Sequence, residues 1–258
     1  MYSERVVKAE LEYPGALTNG TSGMAVRRLQ EWLTFHDCAT VIDDDFGGGT
    51  ERALTKFQTA NGTGGDGRLN KASWEALVAP MQTVTVDVQP PAPMAYPRAL
   101  LRLAKLHLGQ SPVGLGGDNR GPWVRLYMQG NDGPEWRWCA GFVSTLMHQA
   151  ARLSGVSVPI AGSVSCDTLA AQAQSAGRLV RETDLTAGRA TTADLGACAI
   201  FLVRRTPTDW VHTGLAFEFG DEAFSTIEGN TNDGGSSNGF TVLKRSRGYK
   251  DKDFIRLD

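Results

Sequence analysis

The chain has little net charge, few histidines and no long apolar run. Its 26 Lys and Arg residues nearly balance 28 Asp and Glu, leaving a net charge of −2 over 258 residues and a pI near 6.1. A balance of that kind argues against nucleic acid or an anionic membrane as partner, since both favour a basic excess. No stretch approaches the length of a membrane span, so membrane insertion is not expected. The histidines, His36, His107, His148 and His212, form no HExxH or HxH cluster, so no metal and no cofactor is predicted. Cys38, Cys139, Cys166 and Cys198 show no CxxC spacing. In a reducing compartment they are expected as free thiols, with a Cys166–Cys198 bridge as the alternative. Met1-Tyr2-Ser3-Glu4-Arg5 shows no basic segment followed by an apolar run. That predicts synthesis in the cytoplasm without a signal peptide. What is present is a hydrophobic content of 41%, enough for real cores.

From Pro14 to Pro80 three short helices are predicted between glycine-rich turns. Val26, Leu29 and Leu33 share one helix face, Ala53, Leu54 and Phe57 mark a second, and Trp74 and Leu77 a third. Asp43-Asp44-Asp45 lacks the glycine and terminal Glu of a calcium loop and is read as a solvated turn. Residues 81–97 then change composition. Thr83 to Val88 alternates like a short strand, and Gln89-Pro90-Pro91-Ala92-Pro93 reads as a stiff spacer. The expected organisation is a helical module over 1–80, a Pro-rich linker over 81–97 and a second domain over 98–258. A helix from Pro97, a short amphipathic element over Trp123 to Met128, and strands at 197–203, 210–217, 225–230, 240–243 and 254–257 make that second domain α+β.

Its organising stretch is Trp136 to Ser144, where turn chemistry gives way to a helix carrying Phe142, Val143, Leu146, Met147 and Ala150 at helical spacing. Cys139 falls in the first turn, where free N–H groups and the positive end of the helix dipole favour a thiolate. The plainer reading is that Cys139 only continues the apolar stripe. It gives way if the chain supplies a base and an orienting group. His212 shares its strand face with the small residues Gly214 and Ala216, which leaves room for a helix or a substrate. Glu228 and Asn230 share one side of the next strand. Thiolate, imidazole and an orienting carboxylate or amide are the parts of nucleophilic catalysis. To meet, the strands of His212 and Glu228 need an odd register offset, through a three- or five-residue loop or a bulge. A plain two-residue turn at Gly220-Asp221 would aim them apart.

Two resemblances follow from these residues. Val26-x-x-Leu29-Gln30-x-x-Leu33, then Asp45-Phe46-Gly47-x-x-Thr50-x-x-Ala53-Leu54-x-x-Phe57-Gln58, then Asp66-Gly67 and Ser73-Trp74-x-x-Leu77, resemble the peptidoglycan-binding domain of wall hydrolases. A helical adaptor that kept the core and lost the ligand is the alternative. Trp138-Cys139-Ala140-x-Phe142-Val143, His212-Thr213-Gly214 and Glu228-Gly229-Asn230-Thr231 resemble the cysteine, histidine-dependent amidohydrolase/peptidase family. These are papain-like enzymes of the cell wall, with helices packed on an antiparallel sheet.

The second resemblance implies Cys139 as nucleophile, His212 as base, Glu228 as its orienting group and Asn230 as a fourth polar member. Trp123, Trp136, Trp138 and Trp210 are candidates for groove walls, with core packing as the competing role. The expected activity is cleavage of an amide in the stem peptide or cross-bridge of peptidoglycan. A monomeric endolysin or delivered antibacterial effector would do this at the wall, in the periplasm or outside the cell, with an immunity protein as partner if it is an effector. The competing functions are a non-catalytic peptidoglycan-binding protein and a papain-like hydrolase of proteins.

Overall fold

Helices come first along the chain and strands last, an α+β arrangement. The computed structural model describes residues 3–88, 94–232, 234 and 238–257. The spacer Gln89 to Pro93 therefore lies outside the described residues, as do Met1 and Tyr2. The helices are α1 (Glu4–Leu11), α2 (Met24–Phe35), α3 (Gly48–Asn61), α4 (Lys71–Thr85), α5 (Tyr96–Gly109), α6 (Pro122–Tyr127), α7 (Cys139–Ser154), α8 (Cys166–Ser175) and α9 (Glu182–Thr186). The strands are β1 (Leu179–Val180), β2 (Cys198–Thr206), β3 (Asp209–Phe219), β4 (Ala223–Thr231), β5 (Thr241–Gly248) and β6 (Lys252–Ile255). They form one antiparallel sheet in the order β1-β6-β2-β3-β4-β5.

The glutamines repeated in the N-terminal motif have a structural reason. Gln30 and Gln58, both buried, each stitch a loop to a helix. The Gln30 amide donates to Asp43, to the Asp45 carbonyl and to Thr50, and its oxygen accepts from the Asp43 and Asp44 N–H groups. Gln58 donates to the Arg68 carbonyl and the Ser73 hydroxyl and accepts from the Gly67 N–H. Burying an amide is tolerable because every one of its hydrogen bonds is met. The triple aspartate stays at the surface, with Asp43 and Asp45 exposed, and is pinned there by Gln30 and by Arg27 on Asp44 at 3.1 Å.

Two elements depart from the sequence reading. Thr83 to Val88 is no strand, because α4 runs through Pro80 to Thr85. Leu77, Met81 and Val84, spaced four and three apart, are all buried, so helical period outweighs the local alternation. The element at Trp123 is not amphipathic, since all six residues of α6 are buried.

α6 is where the N-terminal helices meet the rest. Trp32 of α2 meets Trp123 edge to face with ring centres 6.1 Å apart. Arg125 donates to Glu10 at 2.8 and 3.1 Å, to Glu31 at 3.2 and 2.6 Å, and to Asp132 at 3.0 Å. Glu10 and Glu31 are 1% and 0% exposed, so this is a buried ionic junction between α1, α2 and α6. One hydrophobic core runs from these helices to the α7 face of the sheet. A smaller one, built on Phe201, Phe224 and Phe254, covers the other face.

Candidate active site

Cys139 is the first residue of α7, and the first helical bond of that turn runs from the Phe142 N–H to the Trp138 carbonyl at 2.9 Å. The earlier N–H groups of the turn are left to face an anion. Helix and sheet approach closely here for a reason visible in the sequence. A Cβ on Gly229 would lie 2.7 Å from Phe142 and 2.9 Å from Trp138, so only glycine lets α7 press onto β4. Gly214 does the same between strands: a Cβ there would lie 2.9 Å from the Glu228 Cγ.

The register follows the odd offset. Leu215, Ala216 and Phe217 pair with Ile227, Thr226 and Ser225, whereas Phe219 pairs with Phe224. The extra residue is Glu218, whose φ of 54° is the left-handed conformation of a bulge. The chain reverses at Asp221-Glu222, closed by the Gly220 N–H on the Ala223 carbonyl at 2.9 Å. Two-residue turn and bulge together set Gly214 opposite Glu228, with His212 on the diagonal. His212 Nε2 then donates to Glu228 Oε2 at 2.9 Å, with both residues buried. Nε2 being committed to the carboxylate, Nδ1 is the nitrogen left for the thiol. It makes no closed hydrogen bond among the described residues, yet Cys139 and His212 lie near enough to govern each other's protonation.

Three residues that the sequence reading missed complete the cluster. Arg247 grips Glu228 with Nε and Nη2, both at 2.6 Å, and the Thr226 hydroxyl donates to the same carboxylate at 2.6 Å. Cys166 Sγ lies 3.9 Å from Cys139 Sγ. Strand alternation could have singled out Thr226, which shares a face with Glu228. Arg247 required the β4–β5 register, in which it pairs with Phe224. Nothing in the spacing of Cys166 pointed to Cys139. The Cys166–Cys198 bridge does not form, because all four cysteines are free and Cys198 donates to the Pro97 carbonyl at 3.4 Å.

The electrostatics favour a charged cluster. Cys139 is held well below an ordinary thiol, chiefly by the hydrogen bond from Cys166; burial opposes this, and His212 and the Ala140 N–H assist. Burial, the largest influence on His212, pulls its pKa down, but Cys139 and Glu228 outweigh it and carry it to about 9. Burial likewise acts against the Glu228 carboxylate, and Arg247 followed by His212 overcomes it, leaving a pKa of about 2. These shifts all favour the thiolate, imidazolium and carboxylate forms, a set able to attack a carbonyl carbon and protonate a leaving amine.

The other predicted residues are placed differently. Asn230 is fully buried at a φ of 56°, and its amide has no partner among the described residues, so it is not hydrogen-bonded to His212. Trp123 and Trp138 are 0% exposed and belong to the core, where Trp138 stacks on Tyr127, so neither walls a groove. Trp210 is also buried, its Nε1 donating to Asp253 at 3.0 Å and its ring under Arg181. Trp136 alone of the four is partly exposed. A cavity of about 530 Å³ between α1, α4 and α7 is lined by Gln149 and Arg152. It opens roughly 15 Å along α7 from Cys139 at 1.5 Å per residue, away from the nucleophile.

Among the described residues no helix is long and apolar enough to cross a membrane. Comparison with curated proteins returns no match. Residues 22–77 match the family model of the peptidoglycan binding domain, a span covering α2, α3 and the first seven residues of α4. The match supports a peptidoglycan-binding domain built on α2, α3 and the start of α4.

Proposed function

We propose that the chain is a cysteine-dependent peptidoglycan hydrolase, cutting an amide of the stem peptide or cross-bridge after its N-terminal domain engages the wall. The observation that carries this reading is the buried Cys139, His212 and Glu228 cluster with its depressed thiol, in one chain with a wall-binding domain. The Cys139 thiolate attacks the amide carbonyl carbon. The oxyanion that forms is met by the Cys139 backbone N–H, free at the helix start. His212, protonated, gives its proton to the leaving amine and a thioester remains. The neutral imidazole then takes a proton from water, which attacks the thioester and releases the acid. Glu228 fixes the ring orientation and stabilises the imidazolium, held in turn by Arg247 and Thr226. The resemblance of these segments to cysteine, histidine-dependent amidohydrolases/peptidases supports this assignment, and with it a role as endolysin or delivered antibacterial effector.

Zymography on purified walls tests the proposal, with Cys139→Ala as control. Clearing by the wild type and none by the variant is expected. Walls left intact by a folded wild type, while the protein sediments with them, would favour the non-catalytic binding protein.

A further inference from the structure

The chemistry above makes no use of Cys166, yet its placement is specific. Cys139 and Cys166 each open a helix, so the free N–H groups and positive dipole ends of α7 and α8 converge on one pair of sulfur atoms. Their Sγ atoms are 3.9 Å apart. α8 is held in place by its Ser165 cap and by Asp167, whose carboxylate accepts the Trp210 N–H of β3 at 2.7 Å. Cys139 and Cys166 are 4% and 8% exposed, so both sulfurs are largely sheltered yet not sealed from solvent. Closing the sulfurs to a bond of about 2.05 Å needs roughly 2 Å of movement, shared between two side chains.

We propose that Cys166 is a resolving thiol, and that a peroxide converts the Cys139–Cys166 pair into a reversible disulfide. The Cys139 thiolate attacks one peroxide oxygen and the O–O bond breaks. The departing hydroxide takes the His212 proton and leaves as water, and Cys139 becomes a sulfenic acid. The Cys166 sulfur then attacks that sulfur and gives up its proton. The S–S bond forms, the S–O bond breaks, and hydroxide leaves with the proton as a second water. Two thiol sulfurs are oxidised by two electrons in all, and one peroxide is reduced to two waters. The disulfide removes the nucleophile and protects it from irreversible oxidation. That consequence for activity rests on the hydrolase reading, whereas the pairing itself rests on the sulfur geometry.

The test uses the full-length, reduced protein exposed to hydrogen peroxide, blocked with an alkylating reagent, and analysed by intact mass and non-reducing peptide mapping. The expected result is loss of two hydrogen masses, a cross-linked peptide joining Cys139 to Cys166, and full reversal by dithiothreitol. In Cys166→Ser, Cys139 should instead gain oxygen and pass to the sulfinic acid, which dithiothreitol does not restore. Oxygen gain on wild-type Cys139 at the rate seen in the variant, with no cross-link, would overturn the proposal. Wall cleavage by a protein that never forms the cross-link would overturn it too. A cross-link in a protein that cleaves no wall would support the pair and count against the hydrolase reading instead.

Discussion

Arg247→Met removes the fork that grips Glu228 while leaving an apolar side chain against Phe201, which the guanidinium now covers at 5.6 Å. Glu228 is 0% exposed and the Arg247 side chain 17%, so the pair is largely desolvated. Stranding one member of such a pair costs about 3–5 kcal/mol. A second route gives a similar figure. Glu228 titrates at about 2 against an ordinary 4.5, which at about 1.4 kcal/mol per unit is roughly 3 kcal/mol favouring the folded protein. Arg247 is the first of the groups that lower it, so about 2–4 kcal/mol should be lost at neutral pH. For a chain of this size that is a fall in Tm of roughly 4–8 °C.

The pH dependence carries a sign. A depressed carboxylate contributes stability that is present above 4.5 and lost as pH falls through about 2. Without Arg247, Glu228 titrates higher, so the gap between wild type and variant should narrow as pH falls below 4.5. Thermal unfolding followed by circular dichroism across that range measures both quantities. In a Glu228→Gln background, Arg247→Met should cost far less. A loss below about 1 kcal/mol, the scale of a surface ion pair, would refute the argument.

Further expectations concern the thiol, the pH profile and the junction. Alkylation by iodoacetamide at mildly acidic pH should label Cys139 first, because burial pushes Cys38 and Cys198 up, Cys198 to about 12, and the Cys139 contact pushes Cys166 up; faster labelling of Cys38 with activity intact would oppose this. Wall cleavage should fall as pH rises through about 9, where His212 loses its proton, and Glu228→Gln should move that limb to lower pH. His212 contributes stability present below 6.5 and lost through about 9, whereas Cys139 contributes above 9.0 and loses it as pH falls through its depressed value. Between 6.5 and 9.0 the His212 contribution falls with pH while the Cys139 contribution rises, so the two slopes oppose each other in stability measured by denaturant unfolding. Arg125→Met should cost about 3–5 kcal/mol by stranding Glu10 and Glu31. Gly229→Ala should cost about 1–3 kcal/mol, as its methyl meets Phe142, and should reduce hydrolysis by shifting α7.

Much of the fold was legible because helical period and strand alternation report burial directly. Val26, Leu29 and Leu33 could face a core only as a helix, and the β3 and β4 segments announced themselves by length and residue type. Cys139 and His212 stood out because the chain has only four cysteines and four histidines, and Glu228 because it lies on the strand after His212. What the sequence could not show depends on neighbours distant along it. The Glu218 bulge is a single left-handed residue with no glycine to mark it. Arg247 and Cys166 reach the site from β5 and α8, and no local pattern says where either lands. Trp123 and Trp138 misled because a tryptophan beside a nucleophile reads equally as groove wall or as core. Thr83 to Val88 misled because three valines at alternate positions imitate a strand, while α4, set by Met81 and Leu77 one and two turns earlier, takes Val84 into a helix that ends at Thr85.

In the proposed mechanism the Cys139 thiolate forms a thioester with a wall peptide. Rapid mixing with a soluble muropeptide, an acid quench and intact-mass analysis test it most directly. A transient adduct of the acyl fragment, mapped to Cys139, is expected in the wild type, and its absence in Cys139→Ala together with loss of product. Product release at the wild-type rate by Cys139→Ala, or an adduct mapped to another residue, would contradict it.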